Sequence, residues 1–349
     1  MNQVNCFRMK SFAFFLLFLA LGCKSPVVKT GRSFYFWRTV FNLGRPEQKE
    51  LREQGVRRLY TRFFDVDYDP ALKTTKPVAD IRFGTAVDSV LEIVPVVFIT
   101  NRALLESADS SIQTLGLSIA GRIRAIEQVL TGQHLKEVQL DCDWTEGSRT
   151  KYFKLIEVIK SEFRKEPVLF SATIRLHQIK YFRRTGVPPA DRGMLMFYNM
   201  GKLDDEKTAN SIYDARTAEP YLHDLAAYPL PLDIALPSFS WVVVIQNGHV
   251  CRLIKDVSEA ELNAEKGLER TDACHFRVKC RIRLGNTDLF EGETLRLEQV
   301  NAELSVRAAE QIQANLAHRP VYVAIFHLNK NQYTTYEKQS FEAVYNRFD

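Results

Sequence analysis

The stretch Glu137-Val-Gln-Leu-Asp-Cys-Asp-Trp-Thr-Glu146 ends a short apolar run in two carboxylates, a tryptophan, a threonine and a third carboxylate. Strand alternation places Leu140 and Cys142 on one face and Gln139, Asp141 and Asp143 on the other. Two acids facing the same way are costly in an apolar core, where a carboxylate must be paired, hydrogen-bonded or protonated. At the mouth of a barrel they are free for acid–base work or for holding a polar ligand. Asp141, Asp143 and Glu146 are therefore the candidate catalytic residues. Glu146 with Asp143 would supply a pair of carboxylates able to act as general acid and base. The alternative for Glu146 is structural, because an acid just before the helix that follows Ser148 favours its dipole.

Other side chains fall near the same strand ends. Trp37, Trp144 and Trp241 offer aromatic faces suited to the apolar faces of sugar rings, or else simple core packing. Tyr198, Asn199 and His327 supply hydrogen-bonding groups. Arg38, Arg62 and Arg175 are candidate bidentate partners for Asp141 and Asp143. Asp65 and Asp67 follow another strand, but their spacing lacks a calcium-loop signature. His177 and His327 are not at metal-ligand spacing, and the cysteines form no paired Cys-x-x-Cys units, so neither a metal nor a cofactor is expected. Cys251, Cys274 and Cys280 lie in one region, where an exported protein could form a disulfide. Neither a glycine-rich phosphate loop nor Gly-x-Ser-x-Gly is present.

Elements able to position these residues can be read along the chain. Strand-like runs occupy residues 34–38, 59–65, 92–100, the segment ending at Asp143, 168–174, 193–199, 232–238 and 321–327. Amphipathic helical stretches at 46–57, 111–130, 149–164 and 178–182 alternate with them. Eight strands separated by helices predict an α/β fold, a (β/α)8 TIM-type barrel whose reactive face lies at the strands' carboxyl ends. The segment of about 241–300 breaks the order. Its Asn247-Gly248 turn and the alternating run 276–284 predict a small antiparallel-rich insertion after the seventh strand.

Three segments together resemble the family 18 glycoside hydrolases and their catalytically silent relatives. Asp141-Cys-Asp143-Trp144-Thr145 is similar to that family's fourth-strand motif, Met196-Phe-Tyr198-Asn199 to its sixth-strand Met-x-Tyr-Asp, and Ile234-Ala-Leu-Pro237 with Phe239 to its seventh-strand segment. The resemblance implies a sugar-binding barrel over most of residues 33–330. It also carries departures: the family's acid/base glutamate falls on Thr145, its leading aspartate on Val138 and its sixth-strand aspartate on Asn199. A threonine hydroxyl cannot replace a carboxylic acid as proton donor to a leaving group.

The 349-residue chain is 46% hydrophobic with well-mixed charges and a formal net charge of +5, an ordinary globular composition. No basic run is interleaved with aromatics, so nucleic acid is not expected as a partner. Arg8 and Lys10 precede an apolar run at 12–21 that is too short to span a bilayer, and the run ends in Leu19-Ala-Leu-Gly-Cys23. This resembles a bacterial lipoprotein signal. It implies a signal peptide at 1–22, lipidation of Cys23, an anchor and linker at 23–32, a barrel at 33–349 and a place in the bacterial cell envelope. An ordinary cleaved secretory signal is the alternative. The sequence thus leads to a lipid-anchored protein whose barrel binds a glycan and, where Glu146 takes over as the acid, hydrolyses it. A non-catalytic carbohydrate-binding lipoprotein or scaffold is the second reading. A third, an interaction protein using the basic run 276–284, leaves the strand-end acids unexplained.

Overall fold

The computed structural model describes residues 29–130, 134–205, 208–255, 257–328 and 338–349. The expected signal peptide and Cys23 lie outside them. Among the described residues no helix is long and apolar enough to cross a membrane.

Eight parallel strands close a barrel: β1 (Gly31–Phe36), β2 (Arg58–Asp69), β3 (Glu92–Ile99), β4 (Glu137–Cys142), β5 (Leu169–Arg175), β6 (Arg192–Met196), β7 (Leu232–Pro237) and β8 (Tyr322–Phe326). Each pairs with its sequence neighbour, and β1 closes the ring by pairing with both β8 (Phe34 with Ile325) and β2 (Phe34 with Leu59). The strands are buried on both faces, which explains their β-branched and aromatic content, and every residue of β4 is buried. Helices α1 (Arg45–Glu53), α2 (Ile112–Glu127), α3 (Arg149–Phe163) and α4 (Ala302–Gln313) flank the barrel. On α2 the buried Ile112, Leu115, Gly116, Ile119, Ala120, Ile123 and Ile126 recur at three- and four-residue spacing, giving the apolar stripe that packs on the sheet.

The (β/α)8 expectation is met, with three local differences. The connection between β2 and β3 carries no helix: the end of β2 turns back as an antiparallel hairpin with Thr74–Val78. The 276–284 run is not one strand. His275–Val278 joins a five-stranded sheet, whereas Ile282–Leu284 forms its own ribbon with Thr287–Leu289, turning at Gly285, where φ is +57°. Finally β4 ends at Cys142, one residue before Asp143.

The insertion lies between β7 and α4. Its sheet holds strands Ser240–Gln246, His249–Lys255, Leu268–Arg270, His275–Val278 and Thr294–Gln299, all antiparallel. The first hairpin turns at Asn247 and Gly248 with φ of +53° and +76°, the left-handed pair that an Asn-Gly turn favours. A buried ion pair fixes this sheet to the barrel. Arg296 donates to Glu298 at 2.8 Å and to the carbonyl of Leu203 at 2.7 Å. The other Glu298 oxygen accepts from the Ser211 backbone at 2.9 Å and from Trp241 Nε1 at 2.8 Å. At the amino ends of the strands the residue leading into β1 meets the last residues of the sequence: Thr30 donates its backbone N–H to Asp349 at 3.2 Å and its hydroxyl to the Phe348 carbonyl at 2.9 Å.

Candidate functional site

The barrel interior is a polar column along β4 and β5. Near the amino ends Glu137 accepts from Arg58 at 2.6 Å and from Ser171 at 2.6 Å. One layer up, Gln139 accepts from the Tyr35 hydroxyl at 2.6 Å and donates to Ser171 at 3.2 Å. At the top Asp141 accepts from Thr173 at 2.6 Å and from Arg175 at 3.1 Å. Each inward acid of β4 is thus satisfied by a neighbour, as a buried carboxylate must be. Burial is the largest influence on Arg175 and works against its charge, but Asp141, Tyr198, Asp143 and Tyr35 together outweigh it and raise the guanidinium pKa.

Above this column opens a cleft of about 280 Å³ lined by Asp143, Arg175, Leu176, His177, Tyr198, Asn199, Met200 and Tyr221. Because β4 stops at Cys142, Asp143 sits on the loop, exposed, with its Oδ1 at 3.4 Å from His177 Nε2. Asp141 and Asp143 therefore do different things, one clamped in the floor and one open in the wall. Asn199 holds a left-handed backbone, φ +54°, a conformation Asn tolerates better than most residues, and donates its N–H to Ile212 at 2.8 Å. Burial raises the Tyr198 hydroxyl pKa and keeps it a neutral donor.

Behind the cleft lies an aromatic cluster. Trp37 packs against Phe326 at 5.7 Å and Phe98 at 6.3 Å, and Phe326 against Tyr198 at 5.1 Å and Phe239 at 5.8 Å. Trp37 and Phe326 are half-buried and keep part of their surface at the mouth. His327 is half-buried beside the Phe326 ring.

Several expected residues sit elsewhere. Trp144 is fully buried, stacked on Tyr152 at 5.2 Å and donating Nε1–H to the Thr185 carbonyl at 3.0 Å, so neither ring face is open to a ligand. Trp241 is buried between Phe239 and Glu298 at the insertion's root. Arg38 donates to Glu47 at 2.7 Å, and Glu47 in turn accepts the Gly44 N–H at the start of α1, so this arginine braces a helix. Arg62 binds Asp65, leaving Arg175 as the arginine of the three that meets Asp141. Asp67 accepts from Thr100 at 2.7 Å and from Arg102; these bonds overcome the upward push of burial and lower its pKa. Glu146 pairs with Arg184 at 3.0 Å, both exposed, and does not line the cleft. Cys142, Cys251, Cys274 and Cys280 are all free thiols.

Residues absent from the sequence reading of the site are Leu176, His177, Met200 and Tyr221 in the cleft lining and Phe326 behind it. Phe326 was within reach of strand alternation: Tyr322, Ala324 and Phe326 share a face, so the inward aromatic at the end of β8 is Phe326, not His327. Tyr221 comes from the short helix Ala215–Leu222, and only the tertiary fold brings it to the cleft.

No family model and no curated protein matches the chain by sequence. Solved structures do match by fold. The chitinase of Chromobacterium violaceum superposes with a TM-score of 0.57 at 11% identity, over 91% of this chain and 98% of that one. The spore cortex-lytic enzyme SleL of Bacillus megaterium gives 0.56 at 14% identity, over 93% and 76%. A chitinase-like agglutinin from Robinia pseudoacacia gives 0.54 at 12%, over 91% and 99%. The barrel resembles those of family 18 glycoside hydrolases and chitinase-like proteins, as the three sequence segments implied.

Proposed function

We propose that this chain binds an amino-sugar oligosaccharide in the cleft at the barrel mouth without hydrolysing it. The observation that carries this reading is that Asp143 is the one carboxylate lining the cleft, among the described residues. Thr145 stands where an acid would be required, and Glu146 is occupied by Arg184 outside the cleft. A two-carboxylate mechanism needs a second acid across the sugar from the first. Binding needs less: apolar surface from Trp37, Phe326 and Tyr221, and convergent polar groups from Asp143, Arg175, His177, Tyr198 and Asn199. The fold neighbours include two enzymes and an agglutinin by name. The missing acid favours the agglutinin-like reading for this chain. The lipoprotein-like segment ending in Cys23 supports tethering to a bacterial envelope membrane, where the cleft would meet glycan polymers.

The test is calorimetric titration of the purified protein with chitooligosaccharides and peptidoglycan fragments, alongside a turnover assay. Binding that is lost in Trp37→Ala and Asn199→Ala, with no product released, is the expected outcome. Turnover abolished by Asp143→Asn would overturn it.

A further inference from the structure

The hairpin between strands Leu268–Arg270 and His275–Val278 closes through residues 271–274, and its sequence Asp272-Ala-Cys-His275 places three different donor types at one corner. His275 Nδ1 lies 2.8 Å from Asp272 Oδ2 and 3.5 Å from Cys274 Sγ, and one donor atom from each residue falls within 4.8 Å of the others. Among the described residues this is the sole grouping of three such donors. From these residues we infer a binding site for a divalent transition-metal ion, Zn²⁺ being the best-matched, held by the Cys274 thiolate, His275 Nδ1 and an Asp272 oxygen with solvent in the fourth position. It is independent of the cleft and of the proposed glycan.

The donor chemistry selects the ion. A thiolate with an imidazole disfavours Mg²⁺ and Ca²⁺, which take oxygen, and suits Zn²⁺ or Co²⁺. Tetrahedral zinc with Zn–S of about 2.3 Å and Zn–N or Zn–O of about 2.0 Å sets S···N near ~3.5 Å and N···O near ~3.3 Å. The first spacing is present, and the second needs the exposed carboxylate to retreat by ~0.5 Å. Ion entry displaces the thiol proton and moves the imidazole proton to Nε2.

The surroundings hold this corner in place. Asp272 Oδ1 accepts the backbone N–H groups of Cys274 and His275, each at 2.9 Å, and both carboxylate oxygens lie against His275 Nδ1, at 2.9 and 2.8 Å. Thr271 N–H donates to the His275 carbonyl at 2.9 Å, and Arg270 donates to the Asp272 carbonyl at 3.0 Å. Leu297 N–H reaches the Cys274 carbonyl at 2.7 Å, fixing the turn to the next strand. The nearby Arg296 is neutralised by Glu298, so its charge does not stand unopposed against a cation. Asp272 is exposed and the other two donors are partly exposed, so an ion can enter from solvent.

The test uses the full chain stripped of metal by chelation. Co²⁺ alone is expected to bind one ion per chain with a thiolate-to-cobalt charge-transfer band, and Zn²⁺ to bleach that band by displacement. Cys274→Ser is expected to abolish the band. His275→Ala is expected to weaken Zn²⁺ binding by more than the roughly 10–100-fold that follows loss of an outer-shell partner. Cys251→Ser and Cys280→Ser are expected to leave both readouts unchanged. Asp272→Asn keeps an acceptor for the turn's backbone N–H groups while removing the charged ligand, and is expected to weaken Zn²⁺ binding while the thiolate band persists, with circular dichroism confirming each variant's fold. Absence of a stoichiometric band in the parent chain, or a band that survives Cys274→Ser, overturns the site.

Discussion

Asp141 and Asp143 are two residues apart and have opposite fates. Asp141 ends as a clamp between Thr173 and Arg175, and Asp143 ends beside His177 in the cleft wall. Asp141→Ala is therefore expected to destabilise the fold by about 3 kcal/mol in urea denaturation, because Arg175 is left charged and largely buried. Asp143→Ala should leave the denaturation midpoint nearly unchanged while weakening glycan binding. Trp144→Ala should cost about 3–5 kcal/mol by emptying its pocket against Tyr152. If Trp144 were a ligand platform instead, the variant would lose binding at unchanged stability. Alternation made legible that Gln139 and Asp141 share the inward face, but it placed Asp143 there too. That β4 ends before Asp143 was not legible, because hydrogen bonding with neighbouring strands decides where a strand stops. The tryptophans were ambiguous for a related reason: a ring near a strand end can turn into the cleft or under a helix, and only packing chooses.

At the scale of elements, the alternation of strands and helices was readable because each strand is a short, doubly buried run and each helix carries an apolar stripe. The Asn247-Gly248 hairpin was readable because its turn residues carry the conformation. The hairpin extension of β2 was not, since Thr74–Val78 is a polar strand whose pairing alone defines it. The alternating run at 276–284 misled because periodicity cannot reveal a break between two sheets. Gly116 offers an element-scale prediction. A methyl there would run into Val158 on α3, so Gly116→Ala should destabilise by about 1–3 kcal/mol, measured by thermal unfolding, despite alanine's better helix propensity. Glu298→Ala should cost about 3–5 kcal/mol by stranding Arg296. If the insertion were loosely attached, only its own protease sensitivity would change.

The whole molecule carries a pH signature. Burial raises the hydroxyl pKa values of Tyr35, Tyr60 and Tyr152 well above the usual value, and that of Tyr213 to about 12. A group whose pKa is raised by folding contributes stability that is complete below its unfolded value of about 10 and is lost as pH rises through the folded one. Stability should thus hold up to about pH 10 and fall steadily above it. Ultraviolet titration should show the buried tyrosines ionising only together with unfolding. Early ionisation of the whole set in a folded protein would contradict this packing.

The meeting of Thr30 with Phe348 and Asp349 gives the molecule a direction. The chain enters β1 at the amino ends of the strands, and the cleft opens at their carboxyl ends, roughly 20 Å away for strands of about six residues. Under the tether proposed at Cys23, attachment would join the barrel through β1, whose start lies at the end opposite the cleft. The cleft would point outward from the supporting surface, toward long polymers lying above it and away from anything embedded in that surface.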